Sequence, residues 1–233
     1  MAENIRILST KTLLSNQKQF LLNANLSVVE ADFIETKSLP ILANAQINEA
    51  LIFTSQNAVN TVLGFENIED LKAKKVFCVG LKTKALLEEN GFQVEAYTGY
   101  AEDLAEIISL VYADSSYTFF SGNLRRDVLP EKLKEAEISF NEIEVYETIL
   151  TPQKMTSTGS ANGNSTFDGI LFYSPSGVES YTKQNKIADE ICFCIGNTTA
   201  EALEHHTKNI IVANQPSVEN VIIQCINYFS RKH

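Results

Sequence analysis

An apolar strand that ends in a polar loop and leads into a helix recurs along this chain, and a pair of such segments occurs twice. Residues 53–59 match residues 172–178 in order and chemistry, and residues 76–80 match residues 192–196. In each match an apolar run is followed by serine, glycine or threonine at the predicted start of a helix. An internal repeat of this length constrains the fold more than any single motif does.

A second and weaker match joins residues 7–9 with residues 119–121, and a predicted helix and strand follow each of them. The chain therefore has the order A-B-A′-B′, in which strands alternate with helices throughout. Such alternation is typical of parallel sheets covered by helices on both faces, so we predict two similar α/β domains. The residues alone leave open whether segment A packs with B or with B′.

The length and charge of the chain limit the classes of protein and partner. Its 233 residues accommodate two domains of about 100–120 residues. The formal net charge of −10 argues against nucleic acid and anionic membrane surfaces as partners, because both would repel it. No apolar run approaches the ~20 residues that span a bilayer, and residues 1–30 lack the pattern of a secretory signal. All four cysteines lie in apolar segments, which predicts buried, reduced thiols in a cytoplasmic protein.

Hydroxyl-bearing residues follow most of the predicted strands. At any one loop, a serine or threonine is explained by capping of the helix that it begins, and we predict this role for Ser55. Taken together, the helix N-termini offer free N–H groups and partial positive charge that would attract a carboxylate-rich ligand. The net charge does not prevent this, because remote charges are screened beyond about 8–10 Å. Four nearby cations, each more simply explained as a solvated surface residue, are Lys82, Lys84, Arg125 and Arg126.

Several familiar chemistries are excluded by the sequence. It contains neither a Gly-x-Gly-x-x-Gly nor a Gly-Lys-Ser/Thr phosphate loop, and no Gly-x-Ser-x-Gly nucleophile motif. Cys192 and Cys194 with the adjacent His205 and His206 would make a poor metal site, since neighbouring helical residues point about 100° apart. We therefore expect no metal ion. Tyr146, a phenol on a strand that crosses between the predicted domains, is explained equally well as a packing residue with a solvated hydroxyl.

Taken in chain order, the motifs at these loops resemble those of the uroporphyrinogen-III synthase family. The matching residues are Phe53-Thr54-Ser55-x-Asn57-Ala58-Val59, Val79-Gly80-x-x-Thr83, Ser121-Gly122 with Arg126 and Leu129, Val145-Tyr146-x-Thr148, Phe172-x-Ser174-Pro175-Ser176-Gly177-Val178 and Ile195-Gly196-x-Thr198-Thr199-Ala200. Together they extend over essentially the whole chain. The sequence departs from the family pattern after its first strand, where Thr10-Lys11 stand in place of an Arg-Pro pair.

The resemblance implies an α/β fold of two flavodoxin-like domains, with parallel sheets flanked by helices, joined by a two-strand linker around a central cleft. The implied boundaries are residues 1–35 plus 149–233 for a discontinuous first domain, 37–147 for an inserted second domain, and 33–37 and 145–149 for the linkers. Independently, the small polar residues of 151–166 predict a mobile loop.

The resemblance also implies a reaction, in which linear hydroxymethylbilane is cyclised to uroporphyrinogen III with inversion of ring D, through a spiro intermediate, and loss of water. No cofactor or metal takes part, and Tyr146 would assist loss of the terminal hydroxyl. The residues that would bind the substrate are Thr54, Ser55, Gly80, Thr83, Ser121, Gly122, Ser174, Ser176, Gly196, Thr198 and Thr199. We further expect a monomer that receives its substrate by transient handover from the preceding enzyme of the pathway.

Two other functions are compatible with the same residues. A non-catalytic two-domain clamshell that closes on a small carboxylate-rich ligand would share every feature of the strand ends described above. A flavodoxin-like nucleotide binder is less compatible, because the phosphate-binding motifs are missing. An assay for the porphyrin isomers formed from hydroxymethylbilane distinguishes the enzyme from both.

Overall fold

A computed structural model describes residues 5–40, 45–155 and 167–231, so most of the predicted mobile loop lies outside the described residues. The strands are β1 (Arg6–Ser9), β2 (Ser27–Glu30), β3 (Ile34–Ser38), β4 (Ala50–Phe53), β5 (Lys75–Val79), β6 (Gln93–Thr98), β7 (Tyr117–Gly122), β8 (Phe140–Leu150), β9 (Gly169–Phe172), β10 (Ile191–Cys194) and β11 (Ile210–Val212). The helices are α1 (Ser15–Asn23), α2 (Gln56–Val62), α3 (Ile68–Lys72), α4 (Leu81–Glu89), α5 (Ala101–Val111), α6 (Val128–Glu135), α7 (Pro175–Thr182), α8 (Asn197–Leu203) and α9 (Val218–Ser230).

The chain divides into two compact units. Unit 1 comprises Met1–Glu35 with Ile149–His233, and unit 2 comprises Thr36–Thr148. No helix in the described ranges is long and apolar enough to cross a membrane.

Unit 1 is built on a five-stranded sheet with the order β11-β10-β9-β1-β2. All of its strand pairs are parallel. Numbered within the unit and read from β2, this order is 2-1-3-4-5, which is that of flavodoxin-like folds. Alternate strand residues face opposite sides of the sheet, so Ile7 packs with α1 and α9 while Leu8 packs with α7 and α8.

Unit 2 has a six-stranded sheet with the order β3-β8-β7-β4-β5-β6. Without β3, this is the arrangement of unit 1, with β7 and β8 in the places of β1 and β2 and with β4, β5 and β6 in the places of β9, β10 and β11. The helices correspond as well, since α5 and α6 cover one face and α2 and α4 the other. Segment A of the repeat therefore packs with B′, and A′ packs with B.

The chain passes from one sheet to the other between β2 and β3. It leaves the first sheet at Glu30 and enters the second at Ile34. Residues 45–49, just before β4, form no helix. There the Asn48 side chain instead donates hydrogen bonds to Tyr117 O and Asn141 Oδ1, at 2.6 and 2.9 Å.

The weaker sequence match is displaced by two residues from the structural one. Ile7 pairs with Gly169, the first residue of β9. Ala50, the first residue of the corresponding strand β4, pairs with Tyr117. Ile7 thus corresponds to Tyr117, and not to Phe119 as the sequence match predicts. A shift of two residues keeps the same face of the strand, so hydrophobic patterning does not reveal it.

The cysteines are buried, as expected. All four, Cys78, Cys192, Cys194 and Cys225, have free thiols. Burial raises the pKa of Cys78 and of Cys194 to about 12. Since the thiolate is the reactive form, these thiols are protonated and unreactive at neutral pH.

Candidate active site

β4 and β7 are neighbours in the sheet of unit 2, and the connections that leave them lead to strands on opposite sides of this pair. β4 is followed by β5 on one side, and β7 by β8 on the other. The edge between two such strands is the usual ligand site of an open α/β sheet. A cavity of about 210 Å³ lies there. Its lining residues are Thr54, Ser55, Val79, Gly99, Tyr100, Ala101, Glu102, Phe119, Leu124, Arg125, Arg126, Leu129 and Tyr146.

The β4 side of the cavity presents two hydroxyl residues with different roles. Ser55 accepts a hydrogen bond from the Asn57 N–H at 3.1 Å, so the predicted capping of α2 is confirmed. Thr54 is half-buried, and no group within the described ranges forms a hydrogen bond with its hydroxyl. Thr54 is thus available to a ligand, whereas the Ser55 oxygen is already engaged by its own helix.

The first arginine of the basic pair is neutralised by acidic neighbours. Arg125 donates from Nε and Nη2 to the two carboxylate oxygens of Glu142, at 2.7 and 2.9 Å, and also pairs with Asp127. The hydrogen bond to Glu142 raises the pKa of Arg125. Burial alone would raise the pKa of Glu142, but hydrogen bonds from Arg125 and Ser121 outweigh it and lower that pKa. Arg125 therefore fixes the loop after β7 to β8 and adds little positive charge to the cavity.

The second arginine is different. Arg126 is exposed and lines the same cavity. Over residues 5–40, 45–155 and 167–231, no acidic side chain or hydrogen-bond acceptor is paired with its guanidinium. A guanidinium binds carboxylates through two parallel hydrogen bonds, so Arg126 is the cation of this site that can take an anionic ligand.

Tyr146 reaches the cavity from β8. It is half-buried, and it lies opposite Gly122 in the pairing of β7 with β8. Among the residues that the structure describes, none forms a hydrogen bond with its hydroxyl. One cavity is therefore lined by three groups that have no partner within the described ranges, namely the Tyr146 phenol, the Thr54 hydroxyl and the Arg126 guanidinium.

Further lining comes from the turn between β6 and α5, which was not among the predicted site residues. α5 runs back from β6 to β7 and covers the sheet face beside the cavity, so its first residues reach the strand ends. Tyr100 is 71% exposed there, and Leu124, from the loop after β7, is 54% exposed. Glu102 adds a carboxylate to the lining, so the cavity is less uniformly cationic than the loop sequences indicated.

Four other predicted residues of unit 2 do not line the cavity. Thr83 is 5% exposed and Ser121 3% exposed, so their hydroxyls have little access to a ligand. Gly80 caps α4 with φ of +92°, a left-handed conformation that favours glycine. Gly122 is buried beside Tyr146.

The predicted residues of unit 1 lie at the ends of β9 and β10. Ser174 caps α7 by accepting from the Gly177 N–H at 3.0 Å, and its oxygen lies 3.0 Å from that of Ser176. Gly196 occupies the N-cap of α8, where Thr198 is exposed and Thr199 is 1% exposed. No group of three or more His, Cys, Asp or Glu side chains in the described part of the chain could hold a metal ion.

In unit 1 the edge between β1 and β9 corresponds to the cavity of unit 2, and its polar groups bind one another. Thr10 donates from Oγ1 to Leu171 O at 2.7 Å, and the Ser9 and Tyr173 hydroxyls lie 3.2 Å apart. Burial raises the pKa of Tyr173. By strand register Tyr173 corresponds to Thr54, so a tyrosine stands where unit 2 has a small residue and a cavity.

Comparison with known proteins agrees with the resemblance indicated by the sequence motifs. The family model described as "Uroporphyrinogen-III synthase HemD" matches residues 21–223. "Porphyrin biosynthesis protein HemD" of Ruminiclostridium josui is 23% identical over 190 residues, which cover 74% of this chain and 36% of that protein. This chain thus spans little more than a third of that relative.

Two solved structures show the same fold. Uroporphyrinogen-III synthetase from Helicobacter pylori has a TM-score of 0.71 at 20% identity, over 96% of this chain and 99% of that one. A mutant uroporphyrinogen III synthase from the extremely thermophilic bacterium Thermus thermophilus has a TM-score of 0.67 at 15% identity, over 98% of this chain and 100% of that one.

Proposed function

We propose a function from one premise, which is that the chain belongs to the uroporphyrinogen-III synthase family. The proposed reaction is the cyclisation of linear hydroxymethylbilane to uroporphyrinogen III, with inversion of ring D through a spiro intermediate and release of water. The observation that carries this proposal is the convergence of Tyr146, Thr54 and Arg126 on one cavity, where their polar groups have no partner among the residues that the structure describes. The substrate needs a proton donor for its leaving hydroxyl and cationic or hydroxyl groups for its carboxylates.

Tyr146 is the proposed proton donor. A phenol O–H is a hydrogen-bond donor at neutral pH. Transfer of its proton to the terminal hydroxyl of the substrate lets the C–O bond break with water as the leaving group. The pyrrole ring bonded to the carbon of this C–O bond supplies the electron pair, and that carbon becomes electrophilic. The substituted α-carbon of ring D bonds to this electrophilic carbon and forms the spiro intermediate, and the bond from the same α-carbon to its original bridging methylene then breaks. That methylene bonds to the free α-carbon of ring D, which loses a proton, so that the phenol is restored and one water is the net by-product. A single positioned acid contributes about 10²–10⁴-fold to such a rate.

Binding is proposed to combine charge and apolar contact at the same cavity. Arg126 would take a substrate carboxylate, because no acidic side chain in the described part of the chain forms an ion pair with it. Thr54 would donate a further hydrogen bond. Tyr100 and Leu124 offer apolar surface for the pyrrole rings. Holding a flexible linear tetrapyrrole in a reactive shape can supply about 7–11 kcal/mol of the barrier, so no cofactor or metal is needed in this proposal.

The other predicted site residues fall into two groups according to their exposure to solvent. We propose that Ser174, Ser176, Gly196 and Thr198 of unit 1, like Ser55 of unit 2, supply donors to substrate carboxylates, since all are exposed or half-buried. The remaining predicted residues have supporting roles in this proposal, through their loops and strands, and they are Gly80, Thr83, Ser121, Gly122 and Thr199. The chain is proposed to act as a monomer and to take its labile substrate from the preceding enzyme of the pathway.

The decisive experiment supplies freshly made hydroxymethylbilane to the purified chain and separates the porphyrin isomers after oxidation. We expect isomer III at a rate far above that of spontaneous closure. Isomer I alone, formed at the uncatalysed rate, would refute the synthase function. Tight binding of the substrate with only isomer I as product would instead support the non-catalytic clamshell.

A further inference from the structure

The segment of β8 that carries Tyr146 is held in place by two consecutive residues at the end of β7, Gly122 and Asn123. The pairing of β7 with β8 shifts by one residue there, since Ser121 pairs with Glu144 while Gly122 pairs with Tyr146. Val145 is passed over, and its side chain is fully buried in the core. Irregularities of this kind redirect side chains next to functional sites. Here the shift places Tyr146 directly across from Gly122.

Gly122 is required at this place for space. A Cβ built on it would lie 2.8 Å from Tyr146 Cε1, and closer still to Cζ and Cε2. The ring of Tyr146 therefore lies over the Cα atom of Gly122, with its hydroxyl-bearing carbon next to the backbone. Any side chain at position 122 would move the ring, because its Cβ atom would overlap the hydroxyl end of Tyr146, the part of the side chain that is free to rotate away.

Asn123 holds the backbone on both sides of the tyrosine. Its N–H donates to Tyr146 O at 3.4 Å. Its side-chain amide accepts from the Thr148 N–H at 2.8 Å and donates to Thr148 O at 3.2 Å. Because one side chain satisfies both backbone groups of Thr148, the segment from 146 to 148 is fixed to the end of β7 although β7 itself stops at Gly122.

We infer that Gly122 and Asn123 are positioning residues, which set the Tyr146 hydroxyl in the cavity beside Arg126. This inference rests on the proposed function, and it replaces direct substrate contact as the role of Gly122. Neither residue needs to touch the substrate, because both act through the position of the tyrosine ring. A displacement of about 1 Å at a reacting group costs on the order of 10²-fold in rate.

The test for Gly122 is a double-mutant cycle with Tyr146. Gly122→Ala is expected to lower kcat by about 10²-fold and to leave KM almost unchanged. In a Tyr146→Ala background the same substitution is expected to have no further effect on kcat, since no ring remains to be displaced. A general structural defect would lower kcat in both backgrounds, and that outcome would overturn the inference. Wild-type kcat for Gly122→Ala would overturn it as well.

Asn123 is tested by graded substitutions. Asn123→Ala removes both side-chain hydrogen bonds and is expected to lower kcat by about 10-fold or more. Asn123→Asp keeps the acceptor for the Thr148 N–H and is expected to retain a larger part of kcat. Asn90→Ala is the matched control, because Asn90 also binds a backbone carbonyl, at Leu86, but lies at the end of α4. Equal kcat losses for Asn90→Ala and Asn123→Ala would refute the positioning role.

The failure of this inference differs from a failure of the proposed function. If the wild-type chain forms no isomer III, the function is wrong. If the wild-type chain forms isomer III and Gly122→Ala loses kcat equally with and without Tyr146, the function stands and the positioning role is wrong.

Discussion

The two units carry the same arrangement of strands, and they differ at the edge where ligands bind in such folds. In unit 1 this edge is filled by Tyr173, whose hydroxyl lies 3.2 Å from that of Ser9. In unit 2 the corresponding residue is Thr54, which lines a cavity of about 210 Å³. At this edge the hydroxyls of unit 1 form internal hydrogen bonds, whereas the Thr54 and Tyr146 hydroxyls of unit 2 have no partner among the residues that the structure describes.

The difference shows that the strand order alone does not make a site. Both units have neighbouring strands whose connections diverge, and both have hydroxyl residues at the strand ends. What distinguishes them is whether those hydroxyls find partners inside the protein. Exchanges between the two units therefore test the proposed site directly.

The largest effect is expected from placing the tyrosine of unit 1 into unit 2. Thr54→Tyr should fill the cavity beside Tyr146 and Arg126 and exclude the substrate. One proton donor contributes about 10²–10⁴-fold to a rate, and we expect kcat/KM to fall by at least this factor. Stability should change little, because Thr54 is only half-buried. Isomer III formation and thermal unfolding measure the two effects. Thr54→Val, which preserves volume, separates filling of the cavity from loss of the hydroxyl, and near-normal turnover of Thr54→Tyr would contradict the site.

The two tyrosines provide the next comparison. Tyr146→Phe should lower kcat by about 10²-fold with KM nearly constant, since only the proton-donating atom is removed. Tyr173→Phe is the matched control in unit 1. Because it removes only the contact with Ser9, it should leave kcat unchanged and cost about 1 kcal/mol of unfolding free energy. A wild-type rate for Tyr146→Phe would remove Tyr146 from the mechanism.

Local sequence patterns predicted a large part of this structure but not the long-range contacts that decide the site. Alternating strands and helices and the capping serine Ser55 were readable because they depend on neighbours in the chain. Arg125 and Arg126 looked alike, since the partner that distinguishes them, Glu142, lies in the next strand and its distance in sequence carries no signal. Tyr100 was missed for a similar reason, because only the return of α5 across the sheet brings it to the cavity.

The two arginines give effects of different kinds. Arg126→Gln should raise KM by about 10-fold or more, through loss of a charge-assisted hydrogen bond, and should leave stability unchanged. Arg125→Gln should lower stability by about 1–2 kcal/mol, because the Glu142 carboxylate loses its partner in a partly solvated place. Substrate titration and denaturant unfolding separate these outcomes. A stability loss for Arg126→Gln equal to that for Arg125→Gln would contradict the distinction drawn between them.

The Arg125 effect should also depend on pH in a defined direction. The folded-state pKa of Glu142 is lowered, so its stabilising contribution is complete above the ordinary glutamate pKa and is lost as pH falls through the folded value. The stability difference between wild type and Arg125→Gln should therefore shrink in acid. A difference that stays constant from neutral pH into this acidic range would show that the Glu142 carboxylate is not the partner that matters.

The smallest effects are expected at the two serines that cap equivalent helices. Ser55→Ala and Ser174→Ala each remove one hydrogen bond to a helix N–H and should each cost about 1 kcal/mol of unfolding free energy. The kinetic effects should be smaller than at Arg126, because each hydroxyl would donate only one uncharged hydrogen bond to a substrate carboxylate while its oxygen caps the helix. If either substitution raises KM as strongly as Arg126→Gln does, that serine is a principal contact of the substrate and not a minor donor. Such a result at Ser174 would show that unit 1 contributes as much to substrate binding as Arg126 of unit 2 does.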